Sequence, residues 1–175
     1  MTSHDIPTTI LWEEADSPLG SFLIAGEGRT IVRVSLPGSW AKEDVPADWV
    51  HEPGAMAPAA RQLEEYFAGN RRTFDLDVVP TGTSFQLAVW RALQGIAYGT
   101  TASYRDVATS VGNPKATRAV GLANNRNPIA LLIPCHRVIG ADGSLTGYGG
   151  GLEMKSWLLA HERDVLDADR LSSTR

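Results

Sequence analysis

A thiol, an imidazole and a guanidinium stand side by side at Cys135, His136 and Arg137, directly after the apolar run Ile129-Ala130-Leu131-Leu132-Ile133 and Pro134. That combination suits nucleophilic chemistry at sulfur. A free cysteine with a pKa of about 8.5 is only a few per cent thiolate at neutral pH, and a nearby basic group raises that share. Adjacent side chains on an extended chain point to opposite faces, so Cys135 and His136 communicate only across a turn or through a bridging water. A lone cysteine is most often a small buried hydrophobe; its two basic neighbours argue against that reading. It is the single cysteine of the 175 residues, which excludes an internal disulfide and a zinc site built on several thiolates. A second stretch, Thr146-Gly147-Tyr148-Gly149-Gly150-Gly151, lacks the Gly-Lys-Ser/Thr of a phosphate loop. It reads either as a plain linker or as a loop whose missing side-chain bulk lets a flat ligand approach the backbone beside Tyr148.

The elements that must position these groups change character near Pro80. Residues 9–13, 21–25 and 31–36 are short apolar or β-branched runs separated by turn chemistry, and they predict an antiparallel meander. A loop over 37–53, a helix over about 58–68 stopped by Gly69, and an alternating strand over 74–79 follow. This half carries no catalytic constellation and is a scaffold. Beyond it, Thr83-Ser84-Phe85-Gln86 is a capping-box pattern opening a helix whose Phe85, Val89, Ala92 and Ile96 share a face. A second helix over about 103–111 buries Tyr104, Val107, Ala108 and Val111, and Gly112 ends it. Asn113 caps and Pro114 starts a third, running to about Asn124, with Ala116, Ala119, Val120 and Ala123 inward and Lys115, Arg118 and Leu122 outward. The pair forms a helix-turn-helix candidate, although a plain αα-hairpin is commoner. Residues 129–133 predict a buried strand. A last helix over 152–162 buries Met154, Trp157 and Leu158 and ends in a solvated His161-Glu162 turn, and residues beyond about 164 are expected to fray. The resulting domains are 1–80, 81–165 and a tail over 166–175.

Charge divides along the same line. Residues 1–80 hold 6 Lys+Arg against 13 Asp+Glu, while residues 81–175 hold 10 against 7. The second half therefore suits a polyanion, although ordinary scatter explains the asymmetry about as well. No apolar run approaches the roughly 18 residues of a membrane span, and residues 1–9 lack the pattern of a secretory signal, so a soluble cytoplasmic protein is expected.

Taken together, Ile133-Pro134-Cys135-His136-Arg137-Val138, preceded by Asn127-Pro128 and followed by Gly147-Tyr148-Gly149-Gly150-Gly151, resembles the O6-alkylguanine-DNA alkyltransferase family. The resemblance covers 83–162 closely, through Phe85-Gln86-Leu87-Ala88-Val89-Trp90 and Arg118-Ala119-Val120-Gly121, and the first 80 residues loosely. It implies an α/β (α+β) fold: a ribonuclease-H-like N-terminal lobe of antiparallel strands and a helix, packed on a mostly helical lobe with a helix-turn-helix. It implies single-turnover transfer of an alkyl group from O6-alkylguanine, with O4-alkylthymine a further substrate, to Cys135, after the nucleotide is flipped from the duplex. His136 would deprotonate Cys135 through a water and Glu162 would orient the imidazole. Tyr104 would assist the departing purine at N3, and Asn127 would pin the turn before the nucleophile. Arg118 would fill the vacated stack from a helix set in the minor groove, with Lys115 beside it and Ala119 and Gly121 allowing close approach. Tyr148, Val138, Gly149 and Gly150 would wall the base pocket. The partner is double-stranded DNA bearing alkylated guanine, and the protein is a monomer, with cooperativity on DNA left open.

Three departures from the family pattern stand out. Gly149 replaces a common Ser, which removes a hydroxyl from O6 and leaves substrate range open. Ala97 replaces a common Pro before Tyr98-Gly99. The cysteines that hold structural zinc in some members are absent, so neither metal nor other cofactor is expected. The alternative readings are a helix-turn-helix binder of damaged DNA or regulator without transfer, and a cysteine hydrolase using Cys135 and His136. Non-transferring relatives have lost the cysteine, which speaks against the first, and the second lacks an obvious oxyanion site.

Overall fold

The computed structural model describes residues 8–173. They divide into two compact units: residues up to Gly82 with Pro128–Leu132, and Thr83–Asn127 with the chain from Ile133 onward.

The first unit is a five-stranded sheet and a helix. Strands β1 (Leu11–Ser17), β2 (Gly20–Glu27) and β3 (Thr30–Ser35) form the antiparallel meander. Short strands β4 (Val50–His51) and β5 (Asp77–Val78) add in parallel to β1 and β3, giving the order β4-β1-β2-β3-β5. β2 is central and covered on both faces, which is why Phe22-Leu23-Ile24-Ala25 is an unbroken buried run rather than an alternating one. The strand shifts register at Ala25/Gly26, where a Cβ on Gly26 would collide with the carbonyl of Thr30; the bulge admits only glycine. Helix α1 (Ala57–Phe67) buries Ala59, Gln62, Leu63 and Tyr66, and Phe67 lies 5.7 Å from Phe22. The alternating stretch over 74–79 pairs only at β5. Gln62 accounts for this: its amide holds both the N–H and the carbonyl of Asp75, leaving nothing there for a ladder.

Residues 129–133 are buried but are not the expected strand. Val34 bonds the carbonyl of Pro128 at 3.0 Å, Ala130 bonds the carbonyl of Val34 at 3.0 Å, and the pairing ends there. Leu131 takes φ +67°, in the left-handed region, and the N–H of Leu132 folds back to the carbonyl of Ala130. An extended chain cannot continue through that geometry. The run carries the apolar content of a strand in the shape of a buried turn.

The second unit is helical. Helix α2 (Ser84–Gln94) starts at the Thr83/Gln86 capping box, with both reciprocal hydrogen bonds present. Its buried face is Val89, Trp90 and Leu93, while Phe85, Ala92 and Ile96 are half-buried. The indole of Trp90 turns this face, donating to the carbonyl of Ala123 at 2.9 Å. A short strand β6 (Ala102–Ser103) leads into α3 (Tyr104–Ser110), itself capped by a Ser103/Asp106 box. Helix α4 (Thr117–Asn125) begins later than its Asn-Pro signal suggests, because the N–H of Ala116 closes a turn on the carbonyl of Asn113. Ala119 is exposed on α4, not inward; Val120, Ala123 and Asn124 form the buried side.

After strand β7 (Val138–Ile139), parallel to β6, the chain ends in α5 (Gly151–Ser173). The fraying expected beyond 164 does not occur at 164–173; residues 174 and 175 lie outside the described part. Leu166 holds the helix down by packing on Gly99, whose φ of +70° and missing Cβ make room for it. On α5 only Leu158 of the three predicted apolar positions is buried. Met154 is half-buried and Trp157 is exposed and stacked on His161, because the buried face is Lys155, Leu158 and Glu162. No helix among the described residues is long and apolar enough to cross a membrane.

Candidate active site

Cys135 opens a single 3-10 turn, Cys135–Arg137, closed by the N–H of Arg137 on the carbonyl of Pro134 at 3.0 Å. The turn removes the opposite-face geometry that an extended Cys-His pair would have. Two amides brace it. Asn127 donates to the carbonyl of Ile133 at 2.8 Å and also bonds the Cys135 thiol, while Asn124, from the buried side of α4, donates to the carbonyl of Cys135 at 3.3 Å. The β6–β7 pairing sets Val138 beside Ala102 and Ile139 beside Ser103, so Tyr104 follows directly as the first residue of α3.

Glu162 is the hub of the buried charges. Its Oε1 meets His136 Nε2 at 2.8 Å and accepts from Arg137 Nη2 at 2.8 Å; its Oε2 accepts from Arg137 Nε at 3.0 Å and from the N–H of Gly99 at 2.8 Å. Arg137 also donates to the carbonyl of Ile96 and lies over the ring of Tyr98. Burial works against ionisation of Glu162, but the hydrogen bonds of His136 and Arg137 and the Arg137 charge outweigh it and hold its carboxyl down at about 2. Burial pushes His136 below the ordinary histidine range, against the pull of Glu162, so the ring is neutral at neutral pH. Facing a carboxylate, Nε2 carries the proton and Nδ1 keeps the lone pair. Nδ1 is buried and finds no hydrogen-bond partner among the described residues. Burial raises the Cys135 thiol, opposed by the Asn127 hydrogen bond and the charge of Lys155.

One wall of the site is tyrosine and lysine. Tyr104 Oη donates to the carbonyl of Thr146 at 2.9 Å, and burial raises its pKa, keeping the phenol protonated. Tyr148 is held protonated more strongly still, again by burial, and its Oη has no partner among the described residues. Val138 is buried, Gly150 half-buried and Gly149 exposed. A Cβ on Gly149 would meet nothing within 4 Å, so the loop leaves open space at this position. Gly121 faces inward: its Cβ position is 3.9 Å from the ring of Tyr104. Lys115, Arg118 and Ala119 are exposed on α4 or just before it.

Cys135, His136, Glu162, Tyr104, Asn127, Tyr148 and Val138 thus belong to one cluster, and Lys115, Arg118 and Ala119 to an outer face. Sequence reasoning missed Lys155 and Asn124. The signal for Lys155 was present: 155, 158 and 162 are spaced i, i+3, i+7 around a buried leucine. Among the described residues no three His, Cys, Asp or Glu side chains gather to hold a metal ion.

Residues 84–164 match the DNA-binding domain of 6-O-methylguanine DNA methyltransferase, and residues 10–80 match its ribonuclease-like domain. The chain is 50% identical over 151 residues to the methylated-DNA--protein-cysteine methyltransferase of Methanosarcina barkeri, covering 86% of this chain and 96% of that protein. The crystal structure of the Mycobacterium tuberculosis O6-methylguanine methyltransferase superposes with a TM-score of 0.83 at 44% identity, over 89% of this chain and 94% of that one. A second structure of that protein, in complex with DNA, gives the same TM-score, identity and coverage.

Proposed function

Because the chain belongs to the 6-O-methylguanine DNA methyltransferase family, we propose that it repairs DNA by moving the alkyl group of O6-alkylguanine irreversibly onto Cys135. The observation that carries this reading is the buried line from Glu162 through His136 to the turn that presents the thiol. His136 Nδ1 takes the thiol proton through a water, and Glu162 holds the ring in the tautomer that leaves Nδ1 free to do so. The sulfur attacks the alkyl carbon in line: the S–C bond forms, the C–O6 bond breaks, and the electron pair leaves with guanine, which takes a proton from Tyr104 Oη at N3. The product thioether has no carbonyl carbon for water to attack, so each molecule acts once.

The partner is double-stranded DNA, approached through the minor groove by α4. Stacked duplex hides the alkyl carbon, so the nucleotide is extruded at a cost of a few kcal/mol, and Arg118 occupies the gap. Tyr148, Val138, Gly149 and Gly150 border the flipped base. The protein works as a monomer in the cytoplasm.

Incubation with duplex containing O6-methylguanine should add one methyl mass to the peptide bearing Cys135 and then stop. Multiple turnover, an unchanged protein mass or modification elsewhere refutes the proposal, and an unchanged mass with tight binding would identify a damage-binding protein instead. Arg118→Ala should slow repair of duplex by at least about tenfold, the rate equivalent of losing 1.4 kcal/mol of extrusion energy, while leaving reaction with free O6-benzylguanine base nearly intact. Equal losses on both substrates would remove Arg118 from extrusion.

A further inference from the structure

Leu122 stands 52% exposed in the middle of the outer face of α4. Arg118 lies one turn before it and Arg126 one turn after it, and Ala119 and Asn125 flank it on the same face; all four are exposed. Neither arginine, nor Lys115 ahead of them, pairs with a carboxylate among the described residues. The other large apolar side chains exposed among the described residues, Val50, Leu152, Trp157 and Leu171, lie on β4 and α5. A scattered exposed leucine needs no explanation, but this one is ringed by cations that have no partner in the fold. That combination matches a surface whose rim is anionic and whose floor is apolar. The minor groove of duplex DNA is such a surface, with phosphates along its edges and sugar carbons and base edges between them.

We propose that Leu122 is a specificity-determining residue: it packs on the minor-groove floor beside the lesion and makes the protein favour A·T over G·C pairs there. The inference rests on the duplex reading above and adds a sequence context to it. The turn of helix from Arg118 to Leu122 rises about 6 Å, under two base steps of about 3.4 Å each, so Leu122 meets the pairs next to the one whose place Arg118 takes. Val120 and Ala123 are buried and Gly121 faces Tyr104, so Leu122 and the small Ala119 are the apolar groups that α4 presents outward. In the minor groove every pair offers acceptors, and a G·C pair adds the guanine N2 amine. A leucine covering that amine strips its water and gives no acceptor in return, which leaves a buried donor unpaired. An A·T pair has no such donor, and the cost of covering the acceptors is common to all pairs.

The test compares O6-methylguanine duplexes whose neighbouring pairs are either G·C or inosine·C, which differ by the minor-groove amine. Anisotropy reads affinity and single-turnover methyl uptake reads repair, for the wild type, Leu122→Ala and Leu122→Met. The wild type should bind the inosine duplex at least about fivefold more tightly, the lower end of what an unpaired buried donor costs. In Leu122→Ala that ratio should collapse toward one, while the salt slope of binding stays at the wild-type value because no phosphate contact is lost. Leu122→Met, apolar and of similar reach, should keep most of the preference. The position is exposed and alanine is a good helix former, so the Ala variant should fold as the wild type does, which its Tm checks. A wild-type ratio of one overturns the proposal. So does an undiminished ratio in Leu122→Ala, because a preference arising from the easier opening of inosine pairs would survive removal of the side chain. A salt slope that falls in Leu122→Ala also overturns it, by placing the effect at the phosphates. Methyl uptake by the wild type with an unmoved ratio in Leu122→Ala rejects only the role of Leu122. Binding with no uptake from either duplex rejects the transfer reading, and the affinity ratio then still decides for or against Leu122.

Discussion

Cys135→Ser is expected to abolish alkyl transfer, lowering the single-turnover rate by at least about 10⁴-fold, the scale on which deletion of a nucleophile acts in covalent catalysis. The replacement is nearly isosteric, and its hydroxyl can still engage the Asn127 amide that holds the thiol, so the turn and the fold should persist. What is lost is the anion. A serine hydroxyl ionises far above the range in which Lys155 and the local N–H groups could help it, and oxygen is the poorer nucleophile toward an alkyl carbon. Duplex affinity should survive, because Arg118 and Lys115 lie on the outer face. The check combines single-turnover transfer with anisotropy on the same lesion-bearing oligonucleotide. Measurable methyl loss from DNA with the Ser variant would end the assignment of the nucleophile.

Glu162→Gln should be the most destabilising conservative change in the protein. It removes the charge that meets both His136 and Arg137 in a fully buried position. Leaving one partner of such a set uncompensated costs about 3–5 kcal/mol, which for a chain of this size is a fall in Tm on the order of 10 °C. The rate should fall as well, since nothing then fixes the imidazole tautomer. The effect carries a pH signature. In the wild type Glu162 titrates at about 2, below the roughly 4.3 of an unfolded chain. Its contribution is therefore complete above the unfolded value and disappears as pH falls toward 2. His136, also lowered on folding, adds a loss that begins near its unfolded value of about 6.5, because below it the unfolded chain takes up a proton that the folded chain resists. Urea melts between pH 8 and pH 2 should show both losses in the wild type, and the Gln variant should lack the lower one. Parallel curves, or an unchanged Tm, would mean the ion pairs contribute nothing to the fold.

Which parts of this were legible beforehand follows from the range of the forces involved. The Thr83/Gln86 box, the glycine stop after α3 and the meander turns depend on residues a few positions apart, and they were readable. The 129–133 run was misread because its apolar content reports burial and not backbone shape; Leu131 at φ +67° is imposed by its surroundings. The α5 face was misjudged for a related reason. Trp157 is the more apolar residue, yet Lys155 is the buried one, because which side of a helix is covered depends on what packs there.

By itself the amino-acid order determined the reactive trio Cys135-His136-Arg137, the glycine loop that follows it, and the alternation of a sheet-forming half with a helical one. These are properties of covalent neighbours and of local periodicity. The resemblance to the alkyltransferase family named Glu162 as the partner of His136; only the folded chain decided that the same carboxylate also takes Arg137 and the N–H of Gly99, that Lys155 is buried against the carbonyl of Thr146, and that α5 continues past Asp164 on the support of Gly99. Hydrogen bonds and desolvation act over a few ångströms in space, with no regard for separation along the chain, so one-dimensional spacing cannot encode them explicitly.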